Sequence, residues 1–250
     1  MSSERQLINK KTPWWGEHVY RYDYVLKNTN RGLVILDLAC GTGYGSNMLC
    51  DNSNNIVVGG DISDESLNIA NREFKKVNLT FEKIDGTCIS YPDNYFDVIT
   101  SFETIEHLMD YKKLINEFYR VLKPGGKLFL STPNSLITSP NGVIKNKFHV
   151  QEFNSKELQI ILSGSFTKIN LKGQNYIRYL NKNSIRLSIA KMIEAFFYLR
   201  GVRKIPIKIQ DFIMRILINK NIYPEISDFN LFEDITKINS SFVLFAECEK

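Results

Sequence analysis

The stretch "VILDLACGTGYG", Val34 to Gly45, decides the fold. Its first half is a near-continuous apolar run, which suits a strand buried on both faces of a parallel sheet. Gly41, Gly43 and Gly45 follow, where glycine lets the backbone turn tightly and approach a ligand. The spacing is G-x-G-x-G, so the dinucleotide fingerprint G-x-G-x-x-G is absent. Asp37 stands on the strand just before the loop. Its carboxylate would repel a pyrophosphate and suits a ligand that carries an ammonium group.

Further apolar runs succeed this one at regular intervals: "NIVVGGDIS" (55–63), "LTFEKID" (79–85), "FDVITSFE" (96–103) and "GKLFLSTP" (126–133). "FTKINLKG" (166–173) and "SFVLFAEC" (241–248) complete a set of seven. Helical patterns lie between them. Asp64 opens one as a cap, running to about residue 76. Leu114, Ile115, Phe118, Val121 and Leu122 form the apolar stripe of a second, stopped by Lys123-Pro-Gly-Gly. A third starts at Asn154 and stops at Gly164. Alternation of this kind predicts an α/β, doubly wound, mostly parallel sheet. Such sheets bind ligands at the C-terminal ends of their strands.

Three strand ends carry acids there in order. Asp37 faces an ammonium group, Asp61 can accept two ribose hydroxyls, and Asp85, followed by Gly86, can take an adenine amino group. The fourth strand ends in "SFETIEHLMD" (101–110), which puts Glu103, Glu106 and His107 within five residues. A helix starting near Glu103 would set Glu106 and His107 on its face at i+3 and i+4. His149, in "NKFHVQEF" after the fifth strand, would join them, so two of the three histidines point into one cleft. Mixed nitrogen and oxygen ligands suit Mg or Mn, with Fe or Co also open, better than a closed zinc site. The metal-free reading has Glu106 and His107 bonding the cofactor or acceptor, with His149 as a general base.

The chain has 250 residues, 43% hydrophobic and 24% charged, which is ordinary for a globular protein. Cys40, Cys50, Cys88 and Cys248 have no metal-binding spacing and read as unpaired thiols of a reducing compartment. The polar start "MSSERQLINKK" shows no signal peptide, and no window reaches a membrane span. The cytoplasm is the expected location. Net charge is +5, yet residues 176–220 hold ten Lys or Arg against Glu194 and Asp211. A segment this basic suits an anionic partner. Its clusters "AFFYL" and "FIMRIL" suit a membrane-surface helix at the inner face of the membrane; a helical cap over the acceptor, or a homodimer contact, stands beside that reading.

The ordered acids and the glycine loop resemble class I S-adenosylmethionine-dependent methyltransferases. "VILDLACGTGYG" looks like their first motif, "VGGDIS" their second, "KIDGTCISYPDNYFDVITS" their adenine-binding turn and fourth strand, and "VLKPGGKLFLSTPN" their fifth-strand region. Ala39 stands where the family often has glycine. The resemblance implies a Rossmann-like seven-stranded sheet with its last strand antiparallel. The likeness covers a cofactor-binding core (30–175) and a final core strand (239–250); residues 1–29 are expected to form an N-terminal cap, and residues 176–238, which break the alternation, a basic, mainly helical insertion. S-adenosylmethionine would lie against Asp37, Ala39, Gly41, Gly43, Asp61, Ile62, Asp85, Gly86 and Phe102. The N-terminal "WWGEHVYRY" would cover it, with Arg21 near its carboxylate.

The Glu103–Glu106–His107 pattern with His149 is similar to two metal-using branches, the ubiquinone-pathway O-methyltransferases and the small-RNA 2′-O-methyltransferases. "FHVQEFNSKEL" resembles methyltransferases of surface-glycan gene clusters. The expected activity is therefore O-methylation of a sugar hydroxyl on a cell-surface glycan or a nucleotide- or lipid-linked precursor, in polysaccharide biosynthesis. An RNA ribose, a catechol or quinone acceptor, and a non-catalytic cofactor-binding scaffold stay open as alternatives. RNA binding through the basic segment would weaken steeply with salt.

Overall fold

The computed structural model describes residues 12, 14–51, 54–179, 185–199 and 206–250. Helix α1 (Trp15–Lys27) leads into strand β1 (Val34–Leu38), α2 (Tyr44–Cys50), β2 (Ile56–Asp61), α3 (Asp64–Glu73) and β3 (Leu79–Lys83). Strand β4 (Phe96–Phe102) ends in a short 3-10 helix (Ile105–His107). Then come α4 (Tyr111–Val121), β5 (Leu122–Pro133), α5 (Ser135–Thr138), α6 (Ser155–Ser163) and β6 (Lys168–Tyr176). Helices α7 (Ile185–Leu199) and α8 (Ile207–Ile218), a 3-10 helix (Ile226–Asp228), β7 (Phe229–Phe232), α9 (Ile235–Asn239) and β8 (Val243–Glu249) complete the described chain.

The strands form one sheet in the order β3-β2-β1-β4-β5-β8-β6-β7. β3, β2, β1, β4 and β5 run parallel, and β8 is antiparallel to both β5 and β6. The sheet is Rossmann-like, and the antiparallel last strand is as expected. It has eight strands rather than seven, because the four-residue β7 adds an edge beside β6.

The apolar runs lack alternation because both faces are covered. Leu36, Val58, Ile99, Leu128 and Leu244 face one core with Phe118 of α4 and Leu158 of α6. Their neighbours Ile35, Val57, Val98, Phe129 and Phe245 face the other, with Tyr22 and Val25 of α1 and Leu49 of α2. Each strand thus supplies both cores through its pleat. Complete burial of Phe118 and Phe129 is each worth about 1.5–3 kcal/mol. Ser63, not Asp64, caps α3, its side chain accepting from Ser66 N–H. Asn154 caps α6 in a capping box with Glu157. All four cysteines are free.

The chain divides into two compact units. The first holds Tyr22–Asn175 and Leu231–Lys250; the second holds Tyr176–Asn230 and the described residues up to Arg21. Leu231 packs against one core of the first unit and Ile238 is buried in the other. The second unit has its own small core of Ala190, Met214 and Ile222. Among the described residues no helix is long and apolar enough to cross a membrane. Of the two apolar clusters of the basic segment, the side chains of 196–199 in "AFFYL" lie outside the described residues.

Candidate active site

The glycine loop turns because two of its residues adopt φ values that favour glycine. Gly41 has φ 56° and Gly43 φ 82°. A Cβ at Gly43 would lie 2.6 Å from the Phe81 ring and 2.8 Å from the Ala70 Cβ. Gly41 is different: a Cβ there would meet nothing within 4 Å, so the backbone borders open space on that side. Ala39 takes the same left-handed region, at φ 60°, with its methyl group exposed.

Asp37 lies under the loop, 1% exposed. Its carboxylate accepts from Ser46 Oγ (2.6 Å), Thr100 Oγ1 (2.7 Å) and Tyr22 Oη (3.2 Å), tying α2, β4 and α1 to β1. Burial raises its pKa to about 6 against the three hydroxyls that favour the charged form. Asp61, also buried, accepts from Gly41 N–H (2.9 Å) with one oxygen and from Ser63 N–H (2.8 Å) with the other. It therefore holds the glycine loop to the end of β2. Asp85 is exposed and accepts from the backbone and hydroxyl of Thr87, both at 2.8 Å. Ile62 is exposed at 64% beside Asp61, Gly86 is half-buried, and Phe102 is buried against Tyr22, their rings 5.0 Å apart. Arg21 lies in the second unit, 1% exposed, with Nη2 3.3 Å from Glu17 Oε1.

A second constellation forms at the ends of β4 and β5. No α-helix starts at Glu103; that residue has φ 53°, and its N–H donates to Ser131 O. The chain then makes the 3-10 helix that carries Glu106 and His107. Glu103 Oε1 accepts from Ser131 Oγ at 2.8 Å. Glu106 is fully buried and accepts from Thr132 Oγ1 at 3.0 Å. His107 Nδ1 donates to Phe148 O at 2.9 Å, which leaves Nε2 as the basic nitrogen, 3.9 Å from Glu106 Oε1. The His107 and His149 rings meet edge to face at 5.1 Å. Ligand atoms of Glu106, His107 and His149 lie within 4.8 Å of one another, and Glu103 is outside this group.

His149 is backed by residues not picked out from the sequence. Its Nδ1 donates to Glu152 Oε1 at 2.7 Å, and its Nε2 accepts from Asn146 Nδ2 at 2.8 Å. Asn146 Oδ1 accepts from Phe148 N–H, which orients that amide. Burial pushes the Glu152 carboxyl up, but bonds from Thr138, His149 and Ser139 outweigh it and hold it below the ordinary value. An ionised carboxylate behind an imidazole fixes its tautomer and strengthens its other nitrogen as a base or ligand. The H-x-x-E spacing of "HVQE" was the available signal. A cavity of about 570 Å³ also lies within the second unit, bordered by Trp15, Val19, Tyr223 and Pro224; none of the site residues lines it.

Residues 36–130 match a family model described as a methyltransferase domain. A Mycolicibacterium smegmatis protein described as "probable S-adenosylmethionine-dependent methyltransferase" is 31% identical over 165 residues, 65% of this chain and 63% of that protein. Wheat (Triticum aestivum) phosphoethanolamine N-methyltransferase is 40% identical over 102 residues, 40% of this chain and 20% of that protein. The ubiquinone biosynthesis O-methyltransferase of Coxiella burnetii is 34% identical over 108 residues, 42% of this chain and 46% of that protein. The chain thus spans less than two thirds of the length of each of these relatives. Among solved structures, a methyltransferase seen in complex with the Haloferax volcanii Trm112 activator superposes with TM-score 0.61 at 15% identity, covering 94% of this chain and 91% of that one. The fold is the Rossmann-like methyltransferase fold, and over residues 36–130 the sequence is similar to methyltransferase domains.

Proposed function

We propose that this chain is an S-adenosylmethionine-dependent O-methyltransferase in which His149 is the general base. The observation that carries the reading is the Glu152-backed imidazole near the ends of β4 and β5, β4 being the strand next to β1 and its glycine loop. An amine acceptor brings its own lone pair; a hydroxyl needs a base, and this arrangement supplies one. The wheat N-methyltransferase match covers a fifth of that protein and carries no acceptor with it.

The cofactor residues fit the group. Gly41 borders open space, Asp61 fixes the loop beside it, and Ile62 offers an exposed apolar face where an adenine would stack. Asp61 would hold the ribose hydroxyls, Asp85 and Gly86 the base, and Ala39, Gly41, Gly43 and Phe102 the methionine end. Asp37 would add negative charge beneath its ammonium group. When bound, S-adenosylmethionine supplies a methyl group already activated on a sulfonium. His149 Nε2 takes the acceptor hydroxyl's proton once the Asn146 amide gives way, and Glu152 stabilises the imidazolium that results. Glu106 and His107 orient the acceptor. General-base catalysis of this kind is worth about 10²–10⁴ in rate.

A divalent ion, Mg or Mn, is a second reading, favoured by the approach of Glu106, His107 and His149. Three protein ligands would leave positions for an acceptor diol, and coordination would acidify its hydroxyl. For the acceptor we propose a sugar hydroxyl of a cell-surface glycan or its nucleotide- or lipid-linked precursor, supported by the likeness of "FHVQEFNSKEL" and by the basic segment.

The test is a methyl-transfer screen over nucleotide sugars, glycans, RNA ends, catechols and phosphoethanolamine, with and without chelator. His149→Ala should cut turnover at least 100-fold on the accepted substrate and leave cofactor affinity intact. Undiminished turnover would remove His149 from the chemistry, and indifference to chelator would remove the ion. Unchanged cofactor affinity in Asp61→Ala would overturn the cofactor placement.

A further inference from the structure

Helices α7 and α8 pack on each other through Ala190, Met214, Ile193 and Leu217. Their outward faces have an unusual composition. On α7, Ile185 (81% exposed), Ile189 (41%) and Met192 (71%) follow at i, i+4 and i+7, one stripe of a helix. On α8, Ile209 (49%), Phe212 (64%) and Ile216 (64%) follow at i, i+3 and i+7. Arg186 and Lys191 flank the first stripe; Lys208 and Arg215 flank the second, all four exposed. The acids of these helices are turned elsewhere. Glu194 is buried against Arg178, and Asp211 accepts from Ile222 N–H. Among the described side chains of α7 and α8, the exposed faces therefore carry apolar and basic groups and no acid. The sequence between the two helices adds Arg200, Arg203 and Lys204.

From this pairing of apolar stripe and basic flank we propose that α7 and α8 dock on the surface of a bilayer containing anionic lipid. Exposed apolar stripes on a soluble surface mark an interaction site. An interfacial helix buries such a stripe at the level of the headgroups and is held there by its basic flanks. Charge selects among the occupants. A second copy would bring two basic faces together, and like charges across an interface repel. A nucleic acid would use the cations but leave Phe212, Ile216 and Met192 in water. An anionic bilayer answers both halves of the surface. The proposal goes beyond the methyl-transfer reading and does not depend on it.

The test is flotation of the full chain with vesicles of phosphatidylcholine, with and without phosphatidylglycerol. Binding is expected only with phosphatidylglycerol and should weaken as salt rises. The double variant Phe212→Ser/Ile216→Ser should bind at least 10-fold more weakly. Lys191→Gln/Lys208→Gln should lose roughly 30-fold, from about a fivefold loss per cation removed. Circular dichroism and amide hydrogen exchange of α7 and α8, unchanged in both variants, establish that they fold. Equal binding to both vesicle types overturns the proposal, as does binding indifferent to the serine substitutions. Concentration-dependent dimerisation abolished by those substitutions, without vesicle binding, assigns the face to a second copy. Capture of RNA without vesicle binding assigns it to nucleic acid. Either result overturns it.

Discussion

Ala39 shows how a single residue bears the cost of the glycine loop. It holds φ 60°, a region that costs a residue with a Cβ about 1–2 kcal/mol. Glycine there would remove that strain and lose about 0.5–1 kcal/mol to the greater freedom of the unfolded chain. Ala39→Gly should therefore raise the unfolding free energy by about 0.5–1 kcal/mol in urea titration; a loss of stability would mean that the methyl group packs in a way its exposure does not suggest. Asp37 makes a pH-dependent contribution. Its pKa is raised to about 6 in the folded chain from 3.8. The folded state thus binds more protons than the unfolded state between those values. Its contribution is fully present below 3.8 and lost as pH rises through about 6. The loss at neutral pH is at most about 3 kcal/mol. Relative to Asp37→Asn, the native chain should lose stability between pH 4 and 7 (urea midpoints at several pH values). A difference independent of pH would rule out the titration.

At the scale of elements, strands buried on both faces were the most legible feature. Their continuous apolar runs and the glycines that follow mark β1, β2 and β4 without ambiguity. The start of α6 at Asn154 was legible in the same local way, and the structure adds Glu157, three residues on, as the other half of a capping box. Asn154→Ala should cost about 1 kcal/mol, seen as a lowered unfolding midpoint and as faster amide exchange in the first turn of α6. Two features were not legible because their causes are not local. β7 is only four residues long and gains its strand conformation from the neighbouring β6 edge. The turn at Glu103 is set by Ser131 of β5, which contacts both its backbone and its carboxylate, so a helical face for Glu103, Glu106 and His107 does not form. The same holds at the site. His149 stood out as one of three histidines, whereas Glu152 and Asn146 gain meaning only from the tertiary turn that brings them to its ring.

For the molecule as a whole, the second unit has a small apolar core and a buried polar clasp that replaces the missing apolar area. Arg178, its side chain 1% exposed, donates to Asp228 Oδ2 at 2.7 Å, Glu194 Oε1 at 2.8 Å and the carbonyls of Ile222 and Tyr223. It thereby joins α7, the segment after α8 and the 3-10 helix before β7. Lys220 adds a second cation on Asp228. Burial pushes the Asp228 carboxyl up, but Arg178, the Glu225 N–H and Lys220 outweigh it and hold it below its ordinary value. That stabilisation is present above the ordinary carboxylate pKa and is lost as pH falls through the lowered one. Deleting one partner of a buried pair leaves the others uncompensated and costs about 3–5 kcal/mol. Arg178→Met leaves two buried carboxylates facing an apolar side chain, a penalty that falls on the second unit alone. Hydrogen exchange of the full chain should show amides of α7 and α8 opening at least 100-fold faster, with β1, β2 and β4 unchanged. Under the proposed cofactor placement on the first unit's loop and acids, cofactor affinity should persist in the same sample. Acceleration spread equally over both units would show instead that the chain unfolds as one cooperative body.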